Sequence, residues 1–291
     1  EKTARMSAAN LSQLKAGALA GSVRLDLSCG LTEFPREIFD LADTLEVLNL
    51  SGNRLSELPD DLARLKKLRI LFCSDNEFRH VPAVLGDCPA LGMVGFKANR
   101  IETVDEGALS ASLRWLILTD NRLAELPASI GRCVKMQKLM LSGNRLSELP
   151  EEMAACVNLE LLRLAANRFA EFPGWLFELP RLSWLGLGGN PWAERSEVSI
   201  EEIGWDDLRI SHPLGEGASG VIHHAHWYAQ PVAVKVFKGE VTSDGLPESE
   251  MAASLAARDA DVLLVGAGPG PADLMTVRAL RAPAFWLRLM K

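Results

Sequence analysis

No run of eighteen apolar residues occurs in this chain of 291 residues, so it offers no candidate membrane-spanning helix. No signal peptide opens it, and it starts at Glu1 rather than Met, as a fragment or a trimmed chain would. An excess of positive charge is also lacking. Thirty-one Lys and Arg face 38 Asp and Glu, a net charge of −7. A phosphate backbone or an anionic lipid surface would be repelled, and neither nucleic acid nor membrane is expected as a partner. The five cysteines include no C-x-x-C pair, which argues against metal or redox chemistry. What remains, 48% hydrophobic and 24% charged residues over a length exceeding one typical domain, is the composition of a soluble intracellular protein.

What the sequence does have is a period. Asn53, Asn76, Asn99, Asn121, Asn144, Asn167 and Asn190 recur at intervals of 23, 23, 22, 23, 23 and 23 residues. Each closes a copy of L-x-x-L-x-L-x-x-N, as in Leu45, Leu48, Leu50 and Asn53, and a degenerate copy (Leu25, Leu27, Gly30) comes before them. The pattern resembles the leucine-rich repeat. That resemblance implies an α/β fold, a horseshoe solenoid of about eight coils that presents a curved surface to another protein.

Each position has a physical cause. L-x-L is a short strand with its leucines inward and alternate residues outward. The asparagine amide is expected to donate to and accept from backbone groups of neighbouring coils. Six residues after most asparagines stands a proline (Pro59, Pro82, Pro127, Pro150, Pro173, with Pro35 in the first copy), which should open a short helical return on the convex side. Repeat four has Asp105 instead.

Stacked coils need covers at both ends. Leu11, Leu14 and Leu19 suggest an amphipathic N-terminal cap within residues 1–21; repeats fill 22–192, Trp192 could cover the last coil, and 193–202 reads as a linker. Cys88, Cys133 and Cys156 lie twelve residues after an asparagine, where other repeats carry Leu65 and Leu179, and Cys73 takes a strand slot. They read as small core hydrophobes. Without the capping cysteine clusters of secreted repeats, a cytoplasmic location is expected.

The same register gives the exposed concave surface in two columns. One runs Arg24, Val47, Ile70, Met93, Trp115, Lys138, Leu161, Trp184; the other runs Asp26, Asn49, Phe72, Gly95, Ile117, Met140, Arg163, Gly186. A solvated sheet face should be mostly polar. Val47, Ile70, Phe72, Met93, Trp115, Ile117, Met140, Leu161, Arg163 and Trp184 form instead a candidate protein-binding face, since large apolar patches mark interaction sites. The competing account is that strand propensity alone selects such residues, or that another part of the chain covers them.

From Trp205 the pattern changes. Gly215-Glu216-Gly217-Ala218-Ser219-Gly220-Val221-Ile222 is a G-x-G-x-x-G, and Lys235 follows in Val232-Ala233-Val234-Lys235, thirteen residues beyond Ile222. Together these resemble the small lobe of a protein kinase over about residues 203–257. The resemblance implies an incomplete α+β lobe in which Gly215, Gly217, Gly220, Ile222, Ala233 and Lys235 contact ATP, while Glu250, or else Glu248, holds the lysine. No histidine is followed by Arg-Asp and no D-F-G occurs, so the chain as given should not transfer phosphate. ATP and magnesium would be cofactors only with a complete kinase site. In His223-His224-Ala225-His226, strand alternation puts His224 and His226 on one face and His223 on the other, too few ligands for a metal site.

Val265-Gly266-Ala267-Gly268-Pro269-Gly270 and the stretch from Pro271 to Leu280 resemble the opening of the tetrapyrrole methyltransferases, the uroporphyrinogen-III methylase type. That implies a vestigial start over 258–291: a strand, a glycine loop with Gly266, Gly268 and Gly270, Asp273 beyond it, and a helix through Leu280. The plain alternative is a strand and helix completing a small C-terminal layer. The expected function is protein–protein interaction through the concave face, joined to an inactive ATP-binding remnant. The alternatives are a fragment of an active leucine-rich-repeat kinase, or a fusion fragment of an S-adenosylmethionine-dependent methyltransferase.

Overall fold

A computed structural model describes residues 2–191, 201–216, 220–237, 266–267 and 276–279. The chain divides into two compact units, Glu1–Leu185 and Gly186–Lys291.

The first unit opens with helix α1 (Lys2–Lys15), which lies within the expected cap and ends before Leu19. Its end follows from Gly17, whose φ of 71° lets the Ala18 N–H reach the Gln13 carbonyl and its own N–H reach Leu14. Leu14 is buried, and the Asn10 side chain donates to the Asp26 carbonyl, so the helix covers the first coil. Strands β1 (Arg24–Asp26), β2 (Val47–Asn49) and β3 (Ile70–Phe72) follow. β4 (His80–Val81) and β5 (Met93–Gly95) come next, then β6 (Thr103–Val104) and β7 (Trp115–Ile117). β8 (Lys138–Met140), β9 (Leu161–Arg163) and β10 (Trp184–Gly186) complete the series. Eight of them form one sheet in the order β1-β2-β3-β5-β7-β8-β9-β10. Its neighbours pair in parallel, Val47 with Ile70 and Trp115 with Lys138 among them.

The expected alternation is met. The central residues Leu48, Leu71, Leu116, Leu139 and Leu162 are fully buried, while their strand neighbours stay partly exposed. Every expected proline that precedes a 3-10 turn at its N-cap (Pro35, Pro82, Pro127, Pro150, Pro173) has φ between −74° and −64°. Pro59 acts two residues further out, its carbonyl accepting from the Leu62 N–H.

Asp105 shows why one repeat can lack proline. Its carboxylate accepts the Ala83 N–H at 3.2 Å, tying down the start of the preceding coil's 3-10 turn, while its own coil closes with simple turns. Beside it β4 and β6 make a separate two-stranded parallel ladder. The backs of these coils touch so closely that a Cβ on Gly86 would collide with the Gly107 carbonyl oxygen.

The asparagines bind the coils together as expected. Asn144 donates to the Leu118 and Leu141 carbonyls (2.8 and 2.9 Å) and accepts from the Leu123 N–H (3.0 Å). Asn53, Asn76, Asn99, Asn121 and Asn167 repeat the pattern, each holding a carbonyl 25 or 26 residues back. The residue before each asparagine adopts positive φ: Gly52, Asp75, Ala98, Asp120, Gly143, Ala166 and Gly189. Alanine is strained there, by about 1–2 kcal/mol for an L-residue. Ala98→Gly and Ala166→Gly are therefore expected each to stabilise the first unit by roughly 0.5–1 kcal/mol after the entropy cost of glycine. A urea midpoint that rises in both variants is the expected reading, and a fall would contradict the strain.

Cys73, Cys88, Cys133 and Cys156 are buried and all five cysteines are free. The Cys133 and Cys156 thiols donate to the Ser110 and Ile130 carbonyls of the preceding coil. Burial pushes their thiols up to about 12 and about 11, and Cys88 likewise to about 11. Thiolate, the reactive form, is thereby suppressed.

The second unit holds a six-stranded sheet. It contains β11 (Glu201–Gly204), β12 (Leu208–Glu216), β13 (Gly220–Trp227), β14 (Gln230–Phe237), β15 (Gly266–Ala267) and β16 (Thr276–Ala279). The order is β11-β16-β15-β14-β13-β12. β12, β13 and β14 form an antiparallel meander with irregular register around Pro213, which cannot donate to a ladder. Leu208, Ala225, Val232 and Val234 make its small core, with Trp205, Trp227 and Val236 against it.

Two expectations fail here. Thr276–Ala279, expected within a helix, is a strand antiparallel to β11. Gly266, expected in a glycine loop, is a strand residue paired in parallel with Lys235. The β-branched pair Thr276-Val277 favours extended backbone, and the free edge of β14 offers Gly266 a ladder partner. Gly268, Gly270 and Asp273 lie outside the described residues, as do Gly217, Glu248, Glu250 and Trp192.

Candidate protein-binding face

The face of the eight-stranded sheet turned away from the buried leucines carries both columns in the expected register. Val47, Ile70, Met93 and Trp115 are half-buried and adjacent, coil upon coil, with half-buried Leu161 beyond Lys138 in the same column; in the second column Phe72 lies across Gly95 from the adjacent Ile117, Met140 and Arg163. Trp184, at 55% exposure, is the most open of these side chains. Gly95 is buried, because the Phe72 ring lies over it: a Cβ there would stand 2.8 Å from Phe72 Cδ1. The apolar strip thus continues across the glycine.

The end nearest α1 is different. Arg24 grips Asp26 through two hydrogen bonds of 2.7 and 2.8 Å, and Asn49 donates to the same carboxylate at 3.0 Å. The Arg24 hydrogen bonds hold the Asp26 carboxyl below its ordinary range despite partial burial. These polar groups satisfy one another, whereas the middle of the face is mainly apolar around the Lys138 and Arg163 cations.

Lys138 is the residue whose part the sequence reading overlooked. Its Nζ lies 3.9 Å from the centre of the Trp115 ring, a cation–π contact between paired strands β7 and β8. The adjacency of positions 115 and 138 in one column was the available signal.

In the second unit, Gly215 is the exposed penultimate residue of β12 and Gly220 opens β13, where a Cβ would collide with the Val236 carbonyl oxygen. Ile222 pairs with Lys235 across β13 and β14, Ala233 lies opposite His224, and the Lys235 Nζ is 4.9 Å from the Phe237 ring centre. His224 and His226 do share a face, and His212 of β12 stacks on His224 with ring centres 5.3 Å apart. Among the described residues no cluster of His, Cys, Asp or Glu is arranged to hold a metal ion.

A Leucine rich repeat family profile matches residues 111–169 and 134–191, and a second Leucine Rich Repeat profile matches 44–65. Among curated proteins the chain is similar to the mouse Leucine-rich repeat and calponin homology domain-containing protein 1, 32% identical over 124 residues. That match spans 41% of this chain and only 17% of the mouse protein. It is also similar to the probable serine/threonine-protein kinase roco9 of Dictyostelium discoideum, 43% identical over 61 residues, 21% of this chain and 2% of that one. Among solved structures, an internalin from Listeria monocytogenes superposes with a TM-score of 0.50 at 18% identity, covering 60% of this chain and 50% of that one. The first unit is a leucine-rich-repeat solenoid with a parallel sheet. The similarity to the Dictyostelium kinase lies within the repeats and carries no information about the second unit.

Proposed function

We propose that the leucine-rich repeats are a protein-recognition module whose partner docks on the apolar face built by Ile70, Phe72, Trp115, Ile117, Met140, Leu161 and Trp184. The observation that carries this reading is a strip of half-exposed aromatic and aliphatic side chains on a sheet face that could as easily be polar. Trp and Phe dominate binding hot spots. Trp115→Ala and Trp184→Ala should each weaken partner binding by about tenfold or more while moving the melting temperature by only a few degrees. Binding unchanged in both variants would refute the assignment of this face, and a collapse of the fold would make these residues core.

A second reading concerns the other unit, a kinase-like remnant that holds nucleotide weakly. Its support is the antiparallel meander in which Gly215 and Gly220 flank a strand connection and Lys235 faces Ile222 on the adjoining strands. With glycine-loop and Lys235 contacts alone, ATP affinity should be no better than about millimolar, and no phosphoryl transfer should occur. Micromolar binding abolished by Lys235→Met, measured by calorimetry, would show a more complete nucleotide site than this account allows.

A further inference from the structure

Several arginines of this solenoid are neutralised by carboxylates of the same chain. Arg36 holds Asp61 at 2.7 Å, Arg24 holds Asp26 at 2.7 Å, and Arg69 reaches Glu46 at 3.4 Å. Lys138 differs. Among the described residues no carboxylate lies within ion-pair distance of it, and its ammonium rests on the Trp115 ring. Its strand partners on either side are Trp115 and Leu161. The ammonium therefore stands in the middle of the apolar column.

This placement limits what can dock. A partner that covers Trp115 and Leu161 must also cover Lys138, and burying an ammonium beneath carbon without a counter-charge is strongly unfavourable. A carboxylate meets that requirement best, through a charge-assisted hydrogen bond that leaves the cation–π contact intact. The chain's net charge of −7 opposes an acidic run, so the requirement is for an isolated carboxylate. Resting on the protein-binding reading above, we propose that the partner segment carries one Asp or Glu, flanked by large apolar side chains, that seats on Lys138 while its neighbours pack on Trp115 and Leu161. The charge would fix the register of the segment and the apolar neighbours would supply most of the affinity.

The test uses the full chain, immobilised and panned against a random twelve-residue peptide library displayed on phage. Enriched peptides are then synthesised and titrated by fluorescence polarisation. The expected result is a consensus with one Asp or Glu within two residues of Trp, Phe or Leu. Changing that acid to its amide should weaken binding to the wild type about tenfold, but barely alter binding to Lys138→Met. A peptide with Lys in place of the acid should regain binding to Lys138→Glu. Circular dichroism checks both variants, and the amide peptides read the same contact on unmutated protein if Lys138→Glu fails to fold. Peptides that need Trp115 but are indifferent to their own acid and to Lys138→Met would overturn this inference and leave the protein-binding face standing. Enrichment of no peptide that depends on Trp115 would overturn both.

Discussion

Phe78→Ala is expected to destabilise the repeat unit by about 3–5 kcal/mol, the range for emptying a buried phenylalanine site. Phe78 is completely buried and meets Phe96 of the next coil edge to face, with ring centres 5.0 Å apart. Neither ring can follow the other into the void, because the coils are already fixed by parallel strand pairing on one side and by asparagine bonds on the other. The slot offers its own control. Leu55, Leu123 and Leu146 occupy the equivalent position two residues after the asparagine, so Phe78→Leu should cost far less, about 1–1.5 kcal/mol. Urea denaturation followed by circular dichroism reads both variants. A loss below 1 kcal/mol for Phe78→Ala would mean that the ring pair is not part of a close-packed core.

Asn144→Ala should cost about 1–3 kcal/mol by a different route, the orphaning of backbone groups that water cannot reach. The side chain serves the Leu123 N–H and the Leu118 and Leu141 carbonyls together, and all three residues are buried. Asn121→Ala should behave alike, since Asn121 serves the Ile101 N–H and the Phe96 and Leu118 carbonyls. In a stacked array each coil is stabilised by its neighbours, so the loss acts at two interfaces. The exposed Lys66→Ala is the control and should change little. Unfolding midpoints of Asn121→Ala and Asn144→Ala equal to wild type would remove the asparagines from the account of stability.

The two variants mark what the sequence could and could not reveal. Asn144 was legible because its role belongs to the repeat itself: one side-chain type, one spacing, one set of orphan backbone groups. The inward leucines, the buried cysteines and the two exposed columns follow from the same period. The Phe78–Phe96 contact was not legible, because it arises where two different slots of adjacent coils happen to carry aromatics. The positive φ of Ala98 and Ala166 was hidden for the opposite reason, since the equivalent positions carry glycine, aspartate or alanine and so show no single residue type. Asp105 looked like a defect in the proline pattern, and only the bond to the Ala83 N–H shows what replaces proline. In the second unit no repeat constrains the reading. A short motif around Gly266 suggested loop and helix, whereas the open edge of β14 and the β-branched Thr276-Val277 produce strands.

The proposed function stands or falls with the docking of protein on the sheet face of the repeats. A photo-crosslinking amino acid placed at Trp115 or Trp184, with a third variant at Lys66 as the control away from the face, tests it most directly. On irradiation with cell extract, one and the same protein, identified by mass spectrometry, is expected to be captured from both face positions and not from Lys66. This protein, once purified, should also bind the unmodified chain. Capture from Lys66 as efficient as from Trp115, or no common product at the two face positions, would contradict it.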